Sequence, residues 1–340
     1  MPSMSKKIAV AILNWNGADL LKRFLPGVLK YSQEEAIVYV IDNNSTDNSV
    51  AVLKRDFKEV KIIVIPENLG YAGGYNKGLE WIDEEYVVLL NSDVEVTQNW
   101  LTPLIARLEA DPKLAALQPK ILDLKSPDKF EYAGAAGGFF DALGYPFCRG
   151  RIFDELETDQ NQYNDYKSVF WASGACLVVR KSTYLQVGQL NEDLFAHMEE
   201  IDLCWRMQLH GFEVGCDPTS TVFHLGGATL NKQSPQKTYL NFRNNLIILF
   251  LNLPQGEAML TILKRLVLDG LAGIQFLLKG KIKHVVAIIR AHFAFYGRFN
   301  SLMRQKVGQP VKPLKQLNGV YPKSLVWAYF VQKKKNYSDL

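Results

Sequence analysis

Apolar positions along the first 120 residues come in short runs separated by helix-length stretches. Residues 8–13, 37–41, 61–65 and 86–90 are rich in β-branched and large aliphatic side chains and read as strands. Residues 19–31, 49–57 and 71–83 between them read as helices. Strand–helix alternation predicts an α/β domain: a Rossmann-like, mostly parallel sheet with helices on both faces. In such sheets ligands collect at the carboxyl ends of the strands. Each run ends in polar residues there: Asn14-Trp15-Asn16-Gly17, Asp42-Asn43-Asn44-Ser45, Glu67-Asn68-Leu69-Gly70 and Asn91-Ser92-Asp93. Four polar rims on one side of one sheet predict a binding site.

The pattern then changes. Residues 123–168, rich in Gly, Asp, Asn and Tyr, read as a long irregular excursion, a lid or an acceptor-facing loop. Order returns over 171–188 as a strand and a short helix. Within 192–215, Ile201, Cys204, Trp205 and Leu209 share a helical face, and Gly211 stops the helix. Residues 220–227, "STVFHLGG", read as a further strand ending at His224. From Leu246 onward large apolar residues alternate with regularly placed Lys and Arg. This predicts a first domain over 1–250 and a basic, apolar helical extension over 251–340. No internal repeat is present.

Charge sharpens that division. The net charge of +4 hides an excess of basic residues in 256–340, with 15 Lys and Arg against 3 Asp and Glu, which leaves 24 against 32 in residues 1–255. The extension reads either as a helical subdomain packed on the first domain or as a basic amphipathic surface lying on an anionic membrane. "KGKIKH" at 279–284, followed by "VVAIIRAHFAFYGRF", fits the second pattern. No nucleic-acid recognition motif accompanies the basic residues, so no nucleic-acid partner is expected. No stretch of about 18 uncharged apolar residues occurs, so no spanning helix is expected. The run at 8–13 is too short for a signal-peptide core. Four cysteines without a CxxC pair argue against a zinc site or disulfide framework and fit a reducing compartment.

Candidate chemistry follows the polar rims. Asp93, with Glu95 close by, is a strand-end carboxylate of the kind that holds Mg²⁺ or Mn²⁺ together with substrate phosphates, although an isolated Asp after a strand is more often a turn former or helix N-cap. Glu199, Glu200 and Asp202 crowd the first turn of a helix. The helix dipole favours them there, yet their mutual repulsion raises at least one pKa, as a general base requires. Arg243, in "YLNFRNN", has the planar fork that pairs with a phosphate.

Taken together in order, "AILNWNG", "YVIDNNSTDNS", "ENLGYAGGYNKGL", "LLNSDVEV", "SGACLVVRKSTYLQVG", "HMEEIDLCWRMQLHGFEV" and "VFHLGG" resemble the family 2 glycosyltransferases of the GT-A fold, in the rhamnosyltransferase-like branch, over residues 6–250. The resemblance implies that Asn14 and Asn16 border the nucleotide and Asp42 contacts its base. Asn68 and Asn76 would contact the nucleoside and Asn91 the ribose. Asp93 would ligate Mg²⁺ or Mn²⁺ at the DXD position, whose first Asp is here Asn91, and His224 would complete the metal site. "EEID" would hold the catalytic base. The family usually has Asp where this chain has Glu200, so the choice between Glu199 and Glu200 stays open.

The implied activity is inverting transfer of a sugar from a UDP- or dTDP-sugar to a hydroxyl of a glycan or lipid-linked saccharide in cell-surface polysaccharide synthesis. The implied place is the cytoplasmic face of the cell membrane, peripherally bound. A nucleotide-sugar pyrophosphorylase would carry a Gly-rich, Arg-containing loop where this chain has Asn14-Trp15-Asn16-Gly17. A dinucleotide oxidoreductase would carry GxGxxG. A non-catalytic nucleotide-sugar-binding protein is the remaining alternative, and the retention of Asp93, Glu199, Glu200 and His224 speaks against it.

Overall fold

The computed structural model describes residues 6–226 and 234–340. Four parallel strands form one side of a ten-stranded sheet: β1 (Ile8–Asn14), β2 (Ala36–Asn43), β3 (Lys61–Ile65) and β4 (Tyr86–Asn91). They are linked by α1 (Ala18–Ser32), α2 (Ser49–Asp56) and α3 (Gly70–Leu79). The two-residue period of β1 explains the layering. Ile8, Val10 and Ile12 pack with Leu21, Leu25 and Val28 of α1 on one face, while Ala9 and Ala11 pack with Tyr75 and Leu79 of α3 on the other.

The chain continues through β5 (Val94–Val96), α4 (Thr102–Ala110) and β6 (Leu114–Asp123). After β6 come β7 (Ser126–Phe130), β8 (Gly138–Asp141), β9 (Pro146–Cys148), β10 (Arg151–Ile152), β11 (Glu155–Leu156) and β12 (Lys167–Ser168). The large sheet is completed by β13 (Cys176–Arg180) and β14 (Glu213–His224), in the order β12-β14-β6-β13-β4-β1-β2-β3. Because β13 runs antiparallel to both β4 and β6, the sheet is mixed, and the parallel arrangement read from the sequence holds for its first four strands.

Segment 123–168 is not an irregular lid. Strands β8 to β11 form a second sheet with β15 (Val320–Tyr321), a strand contributed by the C-terminal region. Phe139, Phe140 and Phe147 are buried, and Phe140 stacks on Phe170 at 4.7 Å and meets Trp205 edge-on at 5.6 Å. A buried Lys120–Asp159 ion pair of 2.7 Å fastens the segment to β6. Strands of two to five residues are too short to show a hydrophobic period, and the partner of β8 lies far along the chain.

The remaining helices are α5 (Lys181–Gln186), α6 (Glu199–Leu209), α7 (Pro235–Asn252), α8 (Gln255–Leu278), α9 (Ile282–Gly297), α10 (Phe299–Lys306) and α11 (Leu325–Phe330). Helix α6 buries Ile201, Cys204, Trp205 and Leu209, the face expected from the spacing. Strand β14 ends at His224, as the sequence predicts, but begins earlier, at Glu213, and Gly227 of the "STVFHLGG" stretch lies outside the described residues. Position 250 falls inside α7, whose residues Leu246 to Phe250 are all buried, and α8 and α9 pack against that helix. All four cysteines are free and buried.

Candidate active site

The loops after β1 and β2 are knitted together at the expected rim. Asn14 is fully buried, and its Nδ2 donates to Asp42 Oδ1 and to Ser45 Oγ, both at 3.1 Å. The Ser45 amide in turn donates to Asp42 Oδ2 at 3.0 Å. Asn16, at φ 52°, accepts from the amides of Thr46 at 2.7 Å and Asp47 at 3.2 Å. Gly17 is required beside them, because a Cβ there would come within 2.4 Å of Asn14 Oδ1. Asn14 therefore orients Asp42 from beneath the surface.

The loop after β3 is held by Asn43, which the sequence reading did not single out. Its Nδ2 donates to Asn68 Oδ1 at 3.0 Å and to the Gly70 carbonyl at 2.9 Å, while its Oδ1 accepts from the Leu69 amide at 3.1 Å. Asn68 is exposed at the rim. Asn76 has a different task from the expected nucleoside contact. It donates to the Leu190 carbonyl and Glu192 Oε1, both at 2.9 Å, and accepts from the Leu190 amide at 3.1 Å and from the Tyr184 hydroxyl. Those four bonds exhaust a carboxamide, so Asn76 anchors α3 to the segment that leads into α6.

At the end of β4 the antiparallel pairing of β5 with β14 sets His224 opposite Val94, and the Leu225 amide donates to the Asp93 carbonyl at 3.0 Å. Buried Asp93 thereby faces buried His224, with Oδ1 and Nε2 3.1 Å apart. The other ring nitrogen lies 3.3 Å from Glu131 Oε1. Burial works against a charged His224, but the hydrogen bonds and charges of Asp93 and Glu131 outweigh it and raise its pKa to about 10. Glu131 follows β7 within the segment read as irregular. Its role arises only when that segment folds beside β14, and no local sequence signal marks it.

Asp93 and His224 suit a small divalent cation. Carboxylate and imidazole are both accepted ligands of Mn²⁺, and 3.1 Å is about the separation of adjacent ligand atoms around an octahedral ion with bonds near 2.1 Å. Among the described residues, no group of three or more His, Cys, Asp or Glu has the geometry to hold a metal unaided. Substrate oxygens would therefore complete the shell, as Mg²⁺ and Mn²⁺ commonly require.

The second carboxylate group begins α6. Burial, and then the charge of Glu200, push the Glu199 carboxyl well above the usual range. Burial also raises Glu200, with the amides of residues 200 and 201 and the charge of Lys237 opposing the shift. Glu199 Oε2 is buried without a hydrogen-bond partner. Of the two, Glu199 is the more deeply buried, and the Glu200 charge adds to its upward shift. Asp202 is excluded from this chemistry, because it accepts from Arg206 Nε and Asn252 Nδ2, both at 2.8 Å. Burial raises the thiol pKa of Cys148, and the carboxylates of Glu131 and Glu200 add to that shift against the opposing Arg151.

The approach to α6 is strained. Phe195 has φ 65° and ψ −57°, and the Ala196 amide donates to the Leu194 carbonyl at 2.8 Å, closing a γ-turn of the disfavoured positive-φ kind. His197 at φ 68° and Met198 at φ 74° follow. Such residues cost about 1–3 kcal/mol each and persist only where their surroundings hold them. Buried Asn244 does so: its Nδ2 lies 2.9, 2.9 and 2.7 Å from the carbonyls of Leu194, Ala196 and His197. Arg243 supports the same turn, donating from Nε to Asn244 Oδ1 at 2.8 Å and from Nη2 to the Leu194 carbonyl at 2.9 Å. The turn leaves Phe195 53% exposed, its ring against Gly70, where a Cβ would come within 2.9 Å of Phe195 Cδ2.

Known proteins share this architecture. An N-acetylglucosaminyl-diphospho-decaprenol L-rhamnosyltransferase of Mycobacterium tuberculosis is 27% identical over 240 residues, covering 65% of this chain and 76% of its own. The low-salt glycan biosynthesis hexosyltransferase Agl10 of Haloferax volcanii is 23% identical over 253 residues, covering 72% and 76%. Among solved structures, the mannosyltransferase PcManGT of Pyrobaculum calidifontis, in complex with GDP-Man and Mn²⁺, superposes with a TM-score of 0.54 at 12% identity, covering 87% of this chain and 88% of its own. GalNAc-T7 with UDP, GalNAc and Mn²⁺ gives 0.56 at 16% identity, covering 74% and 48%. These structural likenesses establish a GT-A type fold. The profile described as Glycosyl transferase family 2 matches residues 9–184, more than half of the sequence, and the chain therefore belongs to glycosyl transferase family 2.

Proposed function

We propose that this glycosyltransferase is an inverting, cation-assisted enzyme that moves a sugar from a UDP- or dTDP-sugar to a hydroxyl of a lipid-linked saccharide or glycan in cell-surface polysaccharide synthesis. It would work peripherally on the cytoplasmic face of an anionic membrane, with residues 1–250 carrying the chemistry and 251–340 facing the membrane. The observation that carries the reading is the pairing of two differently tuned acidic groups. Asp93 and His224 stand at a strand end, and buried Glu199 with half-buried Glu200 stands at a helix start.

In this reading Asp42, aligned by Asn14, receives the nucleobase, with Asn16 and Asn68 at the rim and Asn91 beside the ribose. Asp93 and His224 would hold Mg²⁺ or Mn²⁺, which when bound stabilises the charge growing on the diphosphate leaving group. His224 must release its proton to serve as a ligand. Glu200 accepts the proton of the acceptor hydroxyl as that oxygen attacks the anomeric carbon from the face opposite the diphosphate. One displacement inverts that carbon. Neutral Glu199 keeps a second negative charge away from the attacking oxygen. Arg243 and Asn244 fix the turn on which Glu200 is carried.

Thermal-shift measurement with UDP-, GDP-, dTDP- and CDP-sugars in the presence of Mn²⁺ tests the donor assignment. Ligands that bind only the native state raise its melting temperature. Stabilisation by a UDP- or dTDP-sugar is expected, followed by turnover to a product of inverted anomeric configuration. No stabilisation by any of the four overturns the reading.

A further inference from the structure

Helix α8 is built inside out. The face turned toward the protein carries Ala258, Thr261, Arg265, Asp269 and Gly273, all buried. Its polar members form a network: Arg265 Nε and His292 Nε2 both lie 3.1 Å from carboxylate oxygens of Asp269. The face turned away carries Leu263, Val267, Leu271, Ile274 and Leu278, spaced by three or four residues as one stripe and 55–83% exposed. Helix α9, which packs on α8 and with it on α7, repeats the arrangement with exposed Ile282, Val286, Ile289 and Phe293. Both outward faces turn away from the same supporting helix, and α8 and α9 pack on each other, so the two exposed apolar stripes lie on neighbouring helices.

Charge identifies what covers them. Between residues 258 and 338 the only acidic residue is Asp269, which is fully buried, against 15 Lys and Arg. Lys264, Lys279, Lys281, Lys283 and Arg290 are exposed along α8, α9 and the turn between them. A second copy of the chain would bring another basic face without acids to meet this one. An anionic lipid leaflet offers both an apolar interior and phosphates at its rim. Among the described residues no helix is long and apolar enough to cross a membrane. Insertion to the depth of one helix face is the remaining geometry.

We infer that the outward faces of α8 and α9 form a monotopic insertion surface for an anionic leaflet, with the aliphatic stripe among the upper acyl chains and the flanking lysines at the lipid phosphates. This names the membrane partner's contact surface, and to that extent rests on the membrane part of the proposed function. It makes no use of the transfer chemistry. Helix α7, against which both helices pack, carries Arg243 and Asn244, so the bound protein would hold its active site at a fixed height above the lipid.

Co-sedimentation of the full chain with phosphatidylglycerol–phosphatidylethanolamine vesicles, and with phosphatidylcholine vesicles, tests it. The parent should bind the anionic vesicles more tightly and retain part of that binding at about 1 M salt, where the Debye length is roughly 3 Å. L263Q/V267Q/L271Q/I274Q should bind about 100-fold more weakly at every salt concentration. K279Q/K281Q/K283Q should lose about tenfold at low salt and little at high salt. An unchanged nucleotide-induced thermal shift certifies that the variants are folded. If the fourfold variant fails that check, F293E on α9, at a residue 72% exposed, tests the same surface. A folded fourfold variant that binds as the parent does overturns the assignment of the face while leaving the membrane reading standing. A parent that binds neither vesicle overturns the membrane reading itself. A lipid-free dimer that the fourfold variant dissolves overturns the inference in favour of a second copy.

Discussion

The two acidic groups of the site are built in opposite ways. At the end of β4, Asp93 and Glu131 flank one histidine, and their charges keep that imidazole a cation far above its ordinary range. At the start of α6, buried Glu199 and half-buried Glu200 are adjacent, and both are pushed toward the neutral form. The first group has its charge compensated and suits a ligand that exchanges a proton for a divalent cation. The second is left partly uncompensated, the state in which a carboxylate takes a proton from a hydroxyl most readily near neutrality. The carboxylates of the two groups are set apart by their neighbours, a histidine at the end of β4 and a second glutamate at the start of α6.

Removing the proposed base tests that contrast most severely. Glu200→Gln should lower transfer by about 10²–10⁴-fold with donor affinity unchanged, measured by steady-state kinetics beside calorimetric donor titration. Glu199→Gln should do less, and the reverse ranking would exchange the two roles. The acidic limb of the parent's pH–rate profile should lie above the ordinary glutamate range near 4.3, because burial raises Glu200 and activity grows as it ionises. Asp93→Ala should act elsewhere, abolishing the Mn²⁺-dependent part of nucleoside diphosphate binding. A metal-dependent affinity equal to the parent's would remove Asp93 from the cation site.

Asn244 tests the contrast at one remove, since it touches neither carboxylate. Losing its bonds to the three carbonyls should relax Phe195, His197 and Met198 toward ordinary backbone conformations. Asn244→Ala is expected to reduce kcat about tenfold with little change in donor KM, and to move the acidic limb as the burial of Glu200 changes. A loss of thermal stability with kcat and the pH profile intact would make Asn244 structural only.

The strand ends were legible in the sequence because central parallel strands are continuous apolar runs and the residues after them must turn. That logic places Asp42, Asn68, Asn91 and Asp93 on one rim. Asn14 and Asn76 were legible as residues but not as roles, because a carboxamide reads the same whether it faces a ligand or fastens two loops. Glu131 was hidden in a segment whose strands are too short to show a period. The outward stripe of α8 was hidden for another reason. Helical spacing reveals that a helix has an apolar face but does not say which face the protein covers, and here the buried face carries Arg265 and Asp269.

The smallest effect is one of stability, and its sign separates the two acidic groups cleanly. Glu199 binds its proton more tightly in the folded protein than in the unfolded chain, because burial and the Glu200 charge raise its pKa. Below the unfolded value, about 4.3, both states are protonated and the carboxyl costs nothing. As pH rises through the window between the unfolded and folded values, the unfolded state ionises first and folding stability falls. Glu199→Gln keeps the shape of the protonated acid and cannot ionise. It should therefore match the parent near pH 4 and exceed it by about 1–3 kcal/mol near pH 8, a rise of a few degrees in melting temperature for a chain of this size. Melting curves across that range, recorded without nucleotide, measure the difference. A variant less stable than the parent at pH 8 would mean that Glu199 is ionised and paired in the folded protein, and the two acidic groups would then be built alike.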